Sequence, residues 1–552
     1  MWHDLKRVMG LWRSRAGWLW LGLAIGVLSV LADMALLALA GRAVAMGVAS
    51  GTLLVGGALA LGWMRPLVVL RPIARYLERL VTHEATFRAL ADTRVWFFRR
   101  LASALPSGLG LRRSGDLLGR LVGDVEALDG LYLRVIAPGI GGLAAVIAIL
   151  LVLGEVDPGL AALVVLPLAL ALALPVLLAQ GAARRSSQIA ERQGALRATV
   201  ADPLIGLEDT LAANAEPRAM AAMEKAADKL AKAQRRLTRR IALSGAAGSL
   251  LTQAAMLLAL GWAMAAGQGG IALAVLALFL VLAASETLAL LPRAGASLAG
   301  AGAAAGRLFE AADSPPPVAE PAVPATAEPK GHAIAIRDLR FAWGEDRAPV
   351  FDGLDLDLPE GGRIALLGPS GAGKSSLAAI LLKFAAPQGG NITLGGVPLA
   401  EMTADAVRAR ITCLTQDARL FDDSIAANLR IARPEADDAA LWRALEAAGI
   451  ATMVRELPEG LETRCGEGGG RFSGGQGRRL ALARSLLSPA PVLILDEPGA
   501  GLDYETERAF LETLDTATAG RSVILIAHRL LGVEHPTRIL RLIGGRAMAA
   551  MG

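Results

Sequence analysis

Six apolar runs constrain this chain more than any other feature. They lie near residues 17–42, 52–72, 132–153, 158–180, 244–266 and 270–292, and each reaches the roughly 20 residues that a helix needs to cross a bilayer. Backbone groups in hydrocarbon must be satisfied within the segment, so runs of this kind form helices. Their connections alternate between short and long. The short ones (about 43–51, 154–157 and 267–269) carry no Lys or Arg. The long ones, 73–131 and 181–243, carry Arg75, Arg79, Arg88, Arg94, Arg99 and Arg100, then Arg184, Arg185, Lys225, Lys229, Arg235 and Arg239. The positive-inside bias puts both long connections and both termini on the cytoplasmic side of a membrane. A hydrophobic share of 54%, a charged share of 19% and a mean hydropathy of +0.47 agree with a membrane protein. The net charge of +5 comes largely from arginines that flank apolar runs, which marks topology and not a nucleic-acid partner.

The long connections read as helical arms that continue the spans. Leu117, Leu118, Leu121, Val125 and Leu128 recur at helical spacing, as do Leu204, Leu207 and Leu211. Breaker signals fall at Pro106-Ser-Gly-Leu-Gly and Ala215-Glu-Pro217. The N-terminus, Trp2-His-Asp-Leu-Lys-Arg through Trp12-Arg-Ser-Arg, is basic and amphipathic and predicts an interfacial helix leading into a retained span. Residues 311–331 are rich in Pro and Ala and predict a linker between a membrane domain at 1–310 and a second domain at 332–552. Cys413 and Cys465 are too far apart to suggest a metal or redox motif.

The second domain is organised by Gly368-Pro369-Ser370-Gly371-Ala372-Gly373-Lys374-Ser375-Ser376. An apolar strand pattern precedes it and a helical run follows, the context a phosphate-binding loop requires. Glycines let backbone N–H groups wrap a phosphate, and the helix N-terminus adds partial positive charge. Lys374 is then expected on the β- and γ-phosphates of ATP and the Ser375 hydroxyl on Mg²⁺. Val492-Leu-Ile-Leu-Asp496-Glu497 reads as a buried parallel strand delivering two carboxylates at its end. Asp496 suits a water-mediated Mg²⁺ contact, and Glu497 suits a general base for the attacking water.

Together with these, Phe472-Ser473-Gly474-Gly475-Gln476, Thr415-Gln416-Asp417, Gly501-Leu502-Asp503 and His528 resemble, in order and spacing, the motifs of an ATP-binding-cassette (ABC) ATPase. The resemblance implies that Trp343 stacks on adenine, that Gln416 senses Mg²⁺ and the membrane arms, and that His528 holds the γ-phosphate. It also implies that Ser473, Gly474, Gly475 and Gln476 meet the nucleotide of an opposite subunit, with Asp503 at the interface between cassettes. The implied fold is multidomain: an all-α, six-helix transmembrane domain of the type I exporter (type IV transporter) class, followed by an α/β P-loop NTPase cassette. One such fusion is half of a transporter.

The blocks Arg75–Arg88, Arg94–Arg99 and Ser114–Pro138 are similar to those of CydC-type half-transporters of the CydDC family. That resemblance implies a bacterial inner-membrane heterodimer with a CydD-like partner, needed for cytochrome bd assembly, that moves glutathione or cysteine or handles haem. Two features depart from the pattern: Asp33 lies inside the first span, and the chain ends soon after Gly544-Gly-Arg546. A homodimeric lipid or drug exporter is the alternative within transporters. A regulatory half with weak ATPase activity is the alternative of another class, and Glu497 with His528 argues against it.

Arg71, Arg75, Arg79 and His83 follow at steps of four on the second helix and share one stripe. Such a stripe could ligate haem iron through His83 and pair its propionates with guanidiniums, or receive the carboxylates of a peptide thiol. The plainer reading is a cytoplasmic positive flank. Glu286, inside the last span, is expected to face the pathway or pair with an arginine.

Overall fold

The computed structural model describes residues 1–50, 55–104, 119–266, 268–324, 327–344, 346–499 and 504–549. These fall into two compact units divided between Ser314 and Pro315.

In the first unit, α1 (Trp2–Leu11) leads through a short 3-10 turn into α2 (Ala16–Ser50), and α3 follows as Val55–Ala104. After π-helical turns at Arg120–Asp124 and Tyr132–Ile136 come α4 (Ala137–Gly154) and α5 (Pro158–Ile205). The rest is α6 (Leu207–Ala212), α7 (Glu216–Ala266), α8 (Gln268–Leu288) and α9 (Leu291–Ala312). Five helical stretches among the described residues are long and apolar enough to cross a membrane. The expected second span begins at 52, and residues 51–54 lie outside the described residues; α3 carries the remainder, with Pro66 and Pro72 inside it.

Hydrocarbon gives helices no hydrophobic reason to associate, so close van der Waals packing of small residues does the work. Ala255 and Ala259 on α7, Ala277 and Ala284 on α8, and Ala145 on α4 are fully buried in one cluster. Gly41 shows the constraint: a Cβ there would lie 2.9 Å from the Cβ of Phe279, so glycine lets α2 and α8 touch.

The expected arm at 181–243 forms from α5 and α7, helices of 48 and 51 residues, roughly 72 and 77 Å long at 1.5 Å per residue. The arm at 73–131 begins as the end of α3, and Leu117 and Leu118 of its stripe lie outside the described residues. The expected single stripe of Leu204, Leu207 and Leu211 does not survive. Gly206 breaks the helix behind Pro203, and the three leucines are split between α5 and α6, all exposed in this chain. The breaker signal at Ala215-Glu-Pro217 coincides with the start of α7, whereas the one at Pro106 lies outside the described residues.

In the N-terminal helix Leu5 and Val8 are buried in protein, while Trp2 and Met9 stay exposed. Just beyond it Trp12 is buried and its Nε1 donates to Thr93 Oγ1 at 3.1 Å. Arg7 makes two bonds to the Asp313 carboxylate, at 2.6 and 2.9 Å, and lies over the Phe309 ring at 3.8 Å. Ala311 and Ala312, expected in the linker, are the buried last residues of α9. From Asp313 to Gly331 the described chain is irregular.

The second unit has two sheets. Strands β1 (Ile334–Phe341), β2 (Phe351–Leu358), β4 (Gly389–Leu394) and β5 (Val397–Pro398) form an antiparallel sheet in the order β2-β1-β4-β5. The larger sheet, in the order β10-β9-β3-β8-β7-β6, contains β3 (Arg363–Leu367), β6 (Ile411–Leu414), β7 (Val492–Asp496), β8 (Ser522–Ala527), β9 (Arg538–Ile543) and β10 (Arg546–Ala549). All its pairs are parallel except β9 with β10. Every residue of β7 is buried, as a central parallel strand requires. The register pairs Leu367 with Ala527 and Asp496 with Ile526. The C-terminal ends of β3, β7 and β8 therefore lie side by side, where open α/β sheets place their ligands.

Candidate functional site

The turn after β3 is built from glycines in conformations other residues rarely hold. Gly371 has φ +81° and Gly373 φ +100°. A Cβ on Gly373 would fall 2.5 Å from Val350 Cγ1, so space as well as backbone demands glycine there. The next residue opens α10 (Lys374–Leu381). The buried Lys374 ammonium donates to the carbonyls of Gly368 (2.7 Å) and Pro369 (3.0 Å), which folds it over the loop it serves.

Ser375 Oγ donates to Asp496 Oδ2 at 2.9 Å, joining β3's loop to the end of β7. Burial pushes the Asp496 carboxyl up, and the Ser375 hydrogen bond pulls the other way. A hydroxyl and a carboxylate oxygen are hard donors, and this pair fits Mg²⁺. Trp343 Nε1 donates to Ser376 Oγ at 3.0 Å and the indole packs edge-on to Phe341 at 5.1 Å between centroids. Half of the indole stays exposed beside the loop, which suits stacking on a base.

Glu497 sits just past β7 with φ +50°, a strained value for a residue with a side chain. Its N–H bonds to Ile526 O at 2.9 Å, and its Oε1 lies 2.6 Å from His528 Nε2. The structure thus brings the two together from adjacent strand ends. The carboxylate is mostly buried and the imidazole half exposed, so the pair faces outward from a dry floor. A carboxylate so placed can take a proton from water held above it.

Gln416 is exposed in the loop after β6, and its carbonyl accepts from Arg478 Nη1 at 3.2 Å. Arg478 Nη2 also donates to Asp496 O at 2.7 Å. One guanidinium therefore ties the Gln416 loop to the end of β7. Sequence reasoning stopped at Gln476 and missed it; its only mark was a cation on the same helix two residues beyond the motif.

Ser473 caps α11 (Gly474–Leu487) in a reciprocal box: Gln476 N–H donates to Ser473 Oγ at 3.3 Å, and Ser473 N–H to Gln476 Oε1 at 3.0 Å. Gly474 and Gly475 fill the first turn, whose amides are open to an anion. Among the described residues this segment makes no hydrogen bond to 368–376. Asp503 lies outside the described residues.

In the membrane unit, Asp33 of α2, Arg71 and Arg75 of α3 and Glu286 of α8 form one ring of opposite charges. Arg71 Nε lies 2.6 Å from Asp33 Oδ1 and its Nη2 2.9 Å from Glu286 Oε2. Arg75 Nη2 donates to Asp33 Oδ2 at 2.8 Å and to Glu286 Oε2 at 2.6 Å. The two acids that stood out as anomalies inside spans share the same two partners, Arg71 and Arg75. Arg71 and Arg75 are consequently not free cations of a stripe. Arg79 and His83 are exposed further along, with the His83 ring 5.7 Å from that of Phe87.

Asp33 is 13% exposed and Glu286 50%, which ranks their neutralisation. Asp33→Asn should destabilise the solubilised protein by roughly 1–3 kcal/mol, the cost of stranding charged hydrogen-bonding groups. Glu286→Gln should cost about 0–1 kcal/mol, as for exposed pairs. Thermal unfolding in detergent measures both, and the reverse order would contradict the ring. The two thiols take no part: burial pushes Cys413 up to about 12 and Cys465 to about 11.

A family profile described as ABC transporter matches residues 351–500. The chain is similar to the glutathione/L-cysteine transport system ATP-binding/permease protein CydC of Escherichia coli (strain K12). The two are 33% identical over an alignment that covers 98% of this chain and 95% of that one. It is 31% identical to the correspondingly named CydD of Bacillus subtilis (strain 168), over 88% of this chain and 84% of the other. Among solved structures it resembles a bacterial Atm1-family ABC exporter with ATP bound, at TM-score 0.85 and 25% identity, covering 97% of this chain and 94% of that chain.

Proposed function

We propose a function that starts from a plain premise: the chain belongs to the CydC/CydD family of ABC transporter ATP-binding/permease proteins. It is a membrane protein and an ATPase whose hydrolysis is coupled to transport. Beyond that premise, our reading is a half-transporter of a bacterial inner membrane that pairs with a CydD-like partner and moves glutathione or cysteine in support of cytochrome bd assembly. The cassette and N-terminus are then cytoplasmic. The observation that carries the reading is a likeness extending over 98% of the chain, membrane half included, to a protein named for glutathione and L-cysteine transport.

In this reading Lys374 and the amides of 368–376 hold the phosphates of ATP, and Trp343 stacks on its adenine. Ser375 and Asp496, with Gln416, hold Mg²⁺, which when bound neutralises phosphate charge. Glu497 accepts the proton of the attacking water, and His528, 2.6 Å away, fixes the carboxylate's orientation and reaches the γ-phosphate. Ser473, Gly474, Gly475 and Gln476 serve the partner's nucleotide, and Asp503 lies at the cassette interface. Arg478 transmits the state of β7 to the Gln416 loop. The ring of Asp33, Arg71, Arg75 and Glu286 offers both charge signs, which suits a zwitterionic amino-acid or peptide thiol.

Haem is the second reading, and it rests on the exposed His83 with Arg79 one turn before it. Two of the guanidiniums it would want for propionates, Arg71 and Arg75, are already engaged by carboxylates. The test is ATPase activity of the purified two-chain complex titrated with glutathione, cysteine and haem, alongside vesicle uptake of labelled thiol. Thiol stimulation and uptake are expected. A haem absorption band that His83→Ala shifts, with no response to thiols, would move the assignment to haem. Recovery of this chain only as a homodimer would instead favour a lipid or drug exporter.

A further inference from the structure

A cavity of about 320 Å³ lies between α5, α7 and α9, walled by Leu174, Pro175, Ile241 and Ala247, with Ser244 and Arg240 also in its lining. A more open cavity of about 420 Å³ shares Ile241 and Ala296 with it and brings Arg134 and Arg293. Both fall in the size range of small-ligand sites, roughly 300–1,000 Å³. The space has a structural origin. Pro175 interrupts the hydrogen-bond ladder of α5. On the facing helix Gly295 comes so near the Pro175 carbonyl that a Cβ would lie 2.5 Å from it. The break between α8 and α9 puts Pro292 opposite Gly245, 3.7 Å from where its Cβ would stand. Small residues on both sides leave the gap open.

Ser244 gives this space a chemical demand. It is 7% exposed, and its hydroxyl has no hydrogen-bond partner. Thr252, two turns on along the same helix, donates to the Gly248 carbonyl at 3.0 Å, the usual escape for a hydroxyl in an apolar helix. Ser244 does not take that escape. The site also has a depth: the apolar runs 158–180, 244–266 and 270–292 all end here. The arginines Arg235, Arg236, Arg239 and Arg240 follow on the cytoplasmic side of our topology. Arg134 has Asp129 as a loose neighbour at 3.9 Å with its side chain 63% exposed, so its charge stays available.

We propose that this cavity binds one anionic phospholipid of the arginine-side leaflet as a resident ligand. An acyl chain lies along Leu174, Ile241 and Ala247, and Ser244 donates to an ester or phosphate oxygen. The phosphate sits among Arg240, Arg134 and Arg293. An apolar wall, a buried donor and cations in the lining match an amphiphilic anion, and a free anion or a peptide thiol would leave the wall unused. The site is independent of the cargo assigned above.

The test uses the complete two-chain transporter, stripped of lipid and returned to nanodiscs of phosphatidylcholine with increasing phosphatidylglycerol. Native mass spectrometry should find one tightly held phosphatidylglycerol that Ser244→Leu, which fills the cavity, and Arg240→Gln each remove. The phosphatidylglycerol needed for half-maximal retention should rise about tenfold in Arg293→Gln, while basal hydrolysis stays unchanged in all three. Millimolar inorganic phosphate should not displace the lipid, which separates a headgroup site from a phosphate site. Equal retention in wild type and in both Ser244→Leu and Arg240→Gln would overturn the proposal. So would equal retention of phosphatidylcholine, or displacement by glutathione. Because the readout is lipid retention, it stands or falls whether or not thiols prove to be the cargo.

Discussion

Glu497→Gln should slow ATP turnover at the site built on this chain's Lys374 by roughly 100-fold or more, the usual loss when a general base goes and electrostatic stabilisation remains. At 1.36 kcal/mol per tenfold, that is about 2.7 kcal/mol of barrier. Glutamine keeps the shape, and the Glu497 N–H to Ile526 O bond that sets the strained backbone does not involve the side chain. Nucleotide binding should therefore survive, because in our reading Lys374 and the glycine turn, not Glu497, hold the phosphates. What goes is the acceptor for water's proton. ATPase rates of the two-chain complex, together with nucleotide affinity by fluorescence, separate these effects. An unchanged rate, in a complex where the other composite site has been disabled, would remove Glu497 from the base role.

The glycine turn and the strand end beside it were legible in the sequence because their parts are local. A glycine pattern bounded by a strand and a helix predicts a turn from a few residues, and four apolar residues followed by Asp496 and Glu497 predict a strand that points acids out of a sheet edge. The contact of Ser375 with Asp496 then follows from the order of β3, β8 and β7. The membrane charges were legible only as anomalies. Asp33 and Glu286 stood out, but they lie 42 and 211 positions from their shared partner Arg75, and no periodicity links them. The N-terminal helix shows a related limit: an amphipathic face predicts that something apolar will cover it, and a neighbouring helix serves as well as a bilayer. Gly206 was read through because apolar spacing dominated, although a glycine after Pro203 is itself a break signal. Ser244 carried no signal at all, since a serine in a helix ordinarily bonds its own backbone.

Ser473→Arg should abolish closure at the composite site that uses the partner's phosphate loop and leave the Lys374 site with its nucleotide. Among the described residues Ser473 bonds only within its own helix start, with Gln476 returning the contact. Its hydroxyl and the first-turn amides of Gly474 and Gly475 thus present an anion-binding end for which this chain's own loop supplies no bond among the described residues. A γ-phosphate brought by a second cassette is the complement. Arginine there would occupy the space of that phosphate with a long cation, and turnover at the crossed site should fall by roughly 100-fold or more, as when a phosphate-stabilising donor set is lost. The lost cap adds about 0.5–2 kcal/mol of helix destabilisation. Ser473→Ala, which loses the cap without adding bulk, therefore serves as the control and should fall far less. Trapping of labelled nucleotide, with each chain's phosphate loop disabled in turn, reads the two sites separately. If the trapped nucleotide disappears from this chain's Lys374 loop and persists on the partner's, the two halves do not cross and each cassette completes its own site.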